Sequence, residues 1–203
     1  LFGQPAVAAL LFEQLAEAVG DLLLAQLEAG ADAVQLFDTW AGELSAVDYE
    51  RFAMPYNRQI IRRVREAGGT IMLFLRNGAH LMDAAVHSGA SGLALDWRMD
   101  VDQVIERMGT IQGAAAPSII QGNLDPAALF APPAEIRQQV QALHDIVLES
   151  RPRGRVDGQA SLRQIQELRR GDAGSVGEGR SRRRRVPPRA HLTTCWLPTL
   201  LGS

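Results

Sequence analysis

The sequence predicts an α/β fold built as a partial (β/α)8 TIM barrel, about four of its eight strands, followed by an irregular Arg-rich C-terminal tail. Three observations carry this. Helical and strand patterns alternate through the first 150 residues, and helices of this length between strands imply right-handed βαβ units and a parallel sheet. All four strand segments break off in polar or glycine-rich residues, FDTWAG, FLRNGAH, LDWRMD and QGNLDP, and a barrel builds its ligand site from such strand ends. No glycine-rich phosphate loop follows any of them, which favours a barrel over an open doubly wound sheet, although that sheet also places ligands at strand ends.

Residues 6–29 carry apolar side chains at helical spacing (Leu11, Leu15, Val19, Leu22, Leu23, Leu27), with Gly30 where a C-terminal cap belongs. A strand is predicted over 33–37. Residues 45–67 read as one helical region, with Arg62, Arg63 and Arg65 near the end whose dipole favours cations. Gly68-Gly69 ends it, and a second strand over 70–75 leads into RNGAH. A short helix over 80–88, closed by Gly89, precedes a third strand over 92–95. Residues 100–108 read as a helix with Asp100 as N-cap, and a fourth strand over 118–121 runs into GNLDP. A helix to Glu149 is entered through Pro132-Pro133. Four strands make half a barrel with two open edges, so the chain alone is expected to be unstable or self-associating.

The chain divides into a barrel-like part, residues 1–150, and a tail, residues 151–203. The formal charge of −2 conceals a contrast: the tail holds 12 Arg against 4 acids, and the first part 9 Arg against 19. Every basic residue is Arg. The Arg-rich run at 180–185 could neutralise phosphates, but a disordered tail of low specificity is the plainer reading, so nucleic acid is not an expected partner. The most apolar stretch, 7–27, is interrupted by Glu13, Glu17 and Asp21 and falls short of a membrane span of ~20 apolar residues. A single Cys195 excludes an internal disulfide framework and a cysteine-based zinc site, and fits a reducing cytoplasm. Leu1 stands where a methionine would begin a gene product, so a fragment is expected.

QLFDTWAG, then LSAVDYERFAMPYNRQII, LALDW and QGNLDPAALFAPPAEIR, occur in this order over roughly residues 10–150. Together they resemble the uroporphyrinogen decarboxylase family. The resemblance implies a single-domain (β/α)8 barrel, a homodimer when intact, located in the cytoplasm and acting in porphyrin and haem biosynthesis. Its substrate is the tetrapyrrole uroporphyrinogen III, whose four acetate side chains lose their carboxyl groups to give coproporphyrinogen III, with no metal or organic cofactor. The resemblance further implies that Thr39 supplies a hydroxyl to a substrate carboxylate and that Phe37 packs against the macrocycle. The family's arginine-rich motif, pyrrole-binding aspartate and tyrosine are absent from this sequence, and so is the Gly-His-Gly motif that follows its last strand. No catalytic residue is identified in the chain, and it is expected to be inactive by itself.

Two further residues are weaker substrate-binding candidates. Asp38 either orients its loop or faces the ligand. His80, at a helix start, carries an imidazole suited to proton donation but has no evident partner in the sequence. Trp40 reads as packing, Asp96 and Trp97 as residues that fix neighbouring loops, and Asn123 and Asp125 as turn makers. No His and acid cluster has metal-ligand spacing, and a corrinoid-linked methyltransferase relative would need a zinc-binding cysteine outside the tail. The change of character after Ser150 reads as a frame shift or a misjoined reading frame, with a genuine basic C-terminus on a non-catalytic barrel relative as the alternative.

Overall fold

The structure, a computed structural model, describes residues 1–111 and 116–149 and the backbone of residues 192–197. Helix α1 (Pro5–Glu28) leads into β1 (Ala33–Asp38), and Gly30 takes up the left-handed conformation (φ 102°) between them. A 3₁₀ turn (Ala41–Glu43) is followed by α2 (Ala46–Phe52) and α3 (Met54–Glu66). Then come β2 (Ile71–Leu75), a 3₁₀ turn (Ala79–Leu81), α4 (Met82–Val86) and β3 (Gly92–Ala94). Helix α5 (Val101–Thr110), β4 (Ile119–Gln121), a 3₁₀ turn (Pro126–Phe130) and α6 (Pro133–Glu149) complete the first part.

The sheet is parallel in the order β4-β3-β2-β1-β5. Strand β5 (Leu192–Leu197) is a correction to the tail, where no strand was expected. It pairs with β1 in the register Ala33↔Leu192 to Asp38↔Leu197. The edge of β1 offers unpaired N–H and C=O groups, and LTTCWL holds enough β-branched and aromatic residues to answer them. The six residues were overlooked because they lie in a proline-punctuated stretch too short to show a period. The predicted polar helix at 161–170 and the Arg-rich run at 180–185 lie outside the described residues.

The helical region predicted over 45–67 is two helices. Pro55 has no N–H to give to the carbonyl four residues back and its ring crowds that position, so the chain restarts at Met54 with the proline in the first turn. Ser45 caps α2 by accepting from the Asp48 N–H, and Asp100 caps α5 by accepting from the N–H groups of Asp102 and Gln103. The helix predicted over 80–88 is a 3₁₀ turn running into the single turn and a half of α4.

The core lies between the sheet and its helices. Val34 and Leu36 of β1, Ile71, Leu73 and Leu75 of β2, and Leu93 of β3 join Leu23 of α1 and Ile60, Ile61 and Val64 of α3 in one buried cluster. Burying such side chains contributes about 1.5–3 kcal/mol each. Because side chains alternate along a strand, the intervening residues Gln35 and Phe37 of β1 and Met72 and Phe74 of β2 face the opposite side of the sheet, called its inner face below. This alternation decides which residues reach the mouth.

Candidate functional site at the strand ends

Asp38 ends β1 on the helix-facing side and is fully buried. Its carboxylate accepts from the Tyr49 hydroxyl at 2.9 Å and from Asn57 Nδ2 at 3.0 Å, and Asn57 Nδ2 also donates to the Tyr49 oxygen at 2.9 Å. Burial, and then the Asp38 charge, push the Tyr49 hydroxyl well above the ordinary phenol range, so it stays a donor. Asp38 is thus anchored on α2 and α3, and its neighbour Phe37 faces the other side of the sheet.

Phe37 meets Phe74 there with ring centroids 5.2 Å apart, an edge-on aromatic pair at the inner face of β1 and β2. One step further toward the loop, the Thr39 hydroxyl oxygen is buried and finds no hydrogen-bond partner among the described residues. The Gln35 side-chain oxygen, two residues below Phe37, is in the same condition. Buried polar atoms are normally satisfied, so these two oxygens, on and just beyond β1, retain the capacity to accept a further hydrogen bond. Trp40, expected to pack, is about half exposed at 47% because the strand has ended and the 3₁₀ turn carries it outward.

The four loops at this end are tied together. Gly42 lies against Asn77, where a Cβ would come within 2.5 Å of the Asn77 Cβ and 2.6 Å of its carbonyl oxygen, and the Gly42 N–H donates to the Arg76 carbonyl at 3.2 Å. Asn77 itself is left-handed (φ 58°). Its N–H donates to Asp96 Oδ2 at 2.8 Å, and Asp96 Oδ1 accepts from the Arg98 N–H and Nη1, both at 3.0 Å. Burial raises the Asp96 pKa, but the Asn77 and Arg98 N–H groups and the Arg98 guanidinium outweigh it and hold the carboxyl below its usual range. Arg98 also lies 4.3 Å over the Trp97 ring. Asn123 after β4 closes the series by donating to the carbonyls of Asp96 at 3.1 Å and Met99 at 2.6 Å.

Asp96 and Asn123 thus fix loops, Trp97 is exposed with Arg98 over its ring, and Asp125 caps its turn by accepting from the Ala127 N–H. His80 donates from Nε2 to the Leu44 carbonyl at 2.8 Å, tying the loop after β2 to the loop after β1. The four candidates accordingly separate: Phe37 lies on the inner face with Thr39 next beyond Asp38, the Asp38 carboxylate meets Tyr49 and Asn57, and His80 makes a backbone contact through Nε2. A cleft of about 350 Å³ beside Trp97 is lined by Met99, Val101, Asn123, Leu143 and Ile146, but the Asn123 donors are already engaged, which leaves it largely apolar.

Tyr49 and Asn57, the partners of Asp38, were missed in the sequence. Asn57 was visible in principle, since it sits in the buried stripe Met54, Asn57, Ile60, Ile61 and Val64 of α3, and a buried polar residue implies a polar partner. Among the described residues no group of three or more His, Cys, Asp or Glu side chains is placed to hold a metal ion, and no helix is long and apolar enough to cross a membrane.

Residues 1–153 match the family model for uroporphyrinogen decarboxylase. Uroporphyrinogen decarboxylase of Hahella chejuensis is 42% identical over 146 residues, 70% of this chain and 39% of that protein. The enzyme of Carboxydothermus hydrogenoformans is 37% identical over 133 residues, 66% of this chain and 36% of its own length. That of Edwardsiella ictaluri is 40% identical over 147 residues, 70% of this chain and 40% of its own. The chain therefore spans about two-fifths of the length of the relatives it matches. With a match over three-quarters of its residues and the strand ends laced into one mouth, this chain belongs to the uroporphyrinogen decarboxylase family.

Proposed function

We propose that the chain forms one wall of the substrate cleft of a uroporphyrinogen decarboxylase, which removes the four acetate carboxyl groups of uroporphyrinogen III to give coproporphyrinogen III. The observation that carries the reading is the unsatisfied Thr39 hydroxyl beside the Phe37–Phe74 pair, in a chain matched by that family over residues 1–153. Thr39 supplies a hydrogen bond to a substrate carboxylate, and Phe37 supplies apolar contact to the macrocycle. Asp38 contributes by orienting both, and His80 by fixing the loops beside them.

The chemistry asks for little beyond placement. Protonation of a pyrrole carbon makes the ring an electron sink; the bond to the acetate carboxyl group then breaks, its electrons enter the ring system and carbon dioxide leaves. Protonation of the exocyclic carbon then leaves a methyl group, and loss of the first proton from the ring carbon restores the pyrrole, so one proton replaces each carboxyl group. Orientation and stabilisation of charge account for most of the acceleration in such a step. No residue of this chain is assigned the proton transfers. The whole protein works as a cytoplasmic homodimer without a metal or organic cofactor, and the 203-residue chain alone is inactive.

Anaerobic incubation of the whole protein with uroporphyrinogen III, followed by chromatography of the carboxylated products, tests the reading. Stepwise appearance of the tetracarboxylate product is expected, and its failure to appear would overturn the proposal. Turnover by the 203-residue chain alone at the rate of the whole protein would overturn its inactivity.

A further inference from the structure

Arg76 has no role in the arrangement described so far. It follows β2 directly, is exposed, and makes no ion pair among the described residues. Its position is fixed by its backbone. The register pairs Phe37 with Phe74 and ends with Asp38 and Leu75; the Arg76 N–H donates to the Asp38 carbonyl at 3.2 Å, and the Arg76 carbonyl accepts from the Gly42 N–H at 3.2 Å, so its backbone is held between the end of β1 and the loop that follows it. Thr39 and Arg76 are the residues that directly follow the last pair, one step beyond the strand ends that carry Phe37 and Phe74.

Neither nearby acid neutralises this arginine in the structure. Asp38 is buried on the opposite side of the sheet with Tyr49 and Asn57, and the Asp96 carboxylate is engaged by Asn77 and Arg98. What remains is an exposed arginine that follows β2 as the unsatisfied Thr39 hydroxyl follows β1, both one step beyond the aromatic pair. A guanidinium and a hydroxyl can both donate to one carboxylate, and the rings below suit a flat apolar body carrying it.

We propose that Arg76 and Thr39 form a carboxylate subsite above the Phe37–Phe74 pair, which makes Arg76 a further binding and specificity-determining residue for an aromatic polycarboxylate. The proposal rests on the decarboxylase reading of the same mouth. Because Arg76 is exposed and takes no part in the core, its substitution is expected to affect binding and leave folding unchanged.

The test is fluorescence titration of the whole protein with uroporphyrin III at low and high salt, with thermal melts of every variant. Arg76→Gln is expected to weaken binding roughly tenfold, the scale of losing one charge-assisted hydrogen bond. Arg76→Lys should retain part of the affinity and its salt dependence, and Arg137→Gln, an exposed arginine on α6, should change neither. If Arg76→Gln binds as tightly as the parent while Thr39→Ala binds more weakly, the subsite loses its arginine and the decarboxylase reading stands. If the parent protein does not bind uroporphyrin III, this wall of the cleft is misassigned and the subsite falls with it. Should Arg76→Gln melt early, Arg76→Lys decides, and binding by it that is insensitive to salt would overturn the proposal.

Discussion

The Asn77 N–H donates to the Asp96 carboxylate across 2.8 Å, so the loop leaving β2 hangs from the loop that follows β3. The contact is buried on the aspartate side, and Arg98 completes the coordination of the same carboxylate. Replacing Asp96 by Ala leaves the Asn77 N–H without its acceptor and frees both loops. A loss of about 2–4 kcal/mol in stability is expected, read by denaturant titration.

The same carboxylate makes a prediction about acid. Its pKa is held below the ordinary value, so its contribution is present above the unfolded-state pKa near ~4 and is lost as pH falls through the lower folded-state value. Stability followed from pH 6 downward should fall in that window, and Asp96→Asn should flatten that part of the curve.

Tyr49→Phe removes one donor to a buried carboxylate while keeping the ring in the core. A cost of about 1–3 kcal/mol is expected. In the parent the phenol is raised well above its ordinary value, so stability is fully present below pH ~10 and declines as pH rises toward the folded-state pKa. Melts between pH 8 and 11 should show a weaker alkaline decline in the variant. An unchanged alkaline limb would assign it to another group.

Thr39→Ala removes a hydroxyl whose oxygen has no described partner, so a normal or slightly raised melting temperature is expected. In the whole protein the same change should raise KM several-fold with less effect on kcat, and Thr39→Ser should restore most of it. Equal loss from Ala and Ser would show that the methyl group, and not the hydroxyl, matters.

Gly42→Ala forces a methyl carbon to within 2.6 Å of the carbonyl oxygen of Asn77, a residue whose N–H is held by the Asp96 carboxylate. A destabilisation of about 1–3 kcal/mol is expected from thermal melts. Gly3→Ala, where a Cβ meets nothing within 4 Å, is the control and should change little.

The barrel-like alternation was legible because periodicity and turn residues agree along the chain: Gly30 and Gly89 close helices where predicted, and Asp100 caps α5. The break between α2 and α3 was also written in the sequence, at Pro55, but the apolar spacing on both sides obscured it. Strand β5 was not legible, because its reason to form is an edge supplied by residues more than 150 positions earlier. At the mouth, the resemblance singled out Phe37 and Thr39, and the structure adds the polar partners that hold Asp38 beneath them. Tyr49 and Asn57 could not be matched to Asp38 from spacing alone, since a contact across 11 and 19 residues follows no local period.

Strand β1 is a two-sided ruler, with Leu36 and Asp38 reading toward the helices and Phe37 and Thr39 toward the mouth. A point substitution alters one mark, whereas deleting a single residue before Leu36 shifts every mark to the wrong side. The carboxylate would then enter the aromatic face and a phenyl ring would confront Tyr49 and Asn57. In a library of this segment, single-residue deletions across 33–36 should therefore be lost at positions where many substitutions survive. Compensating two-residue deletions, which preserve sidedness, should lose less.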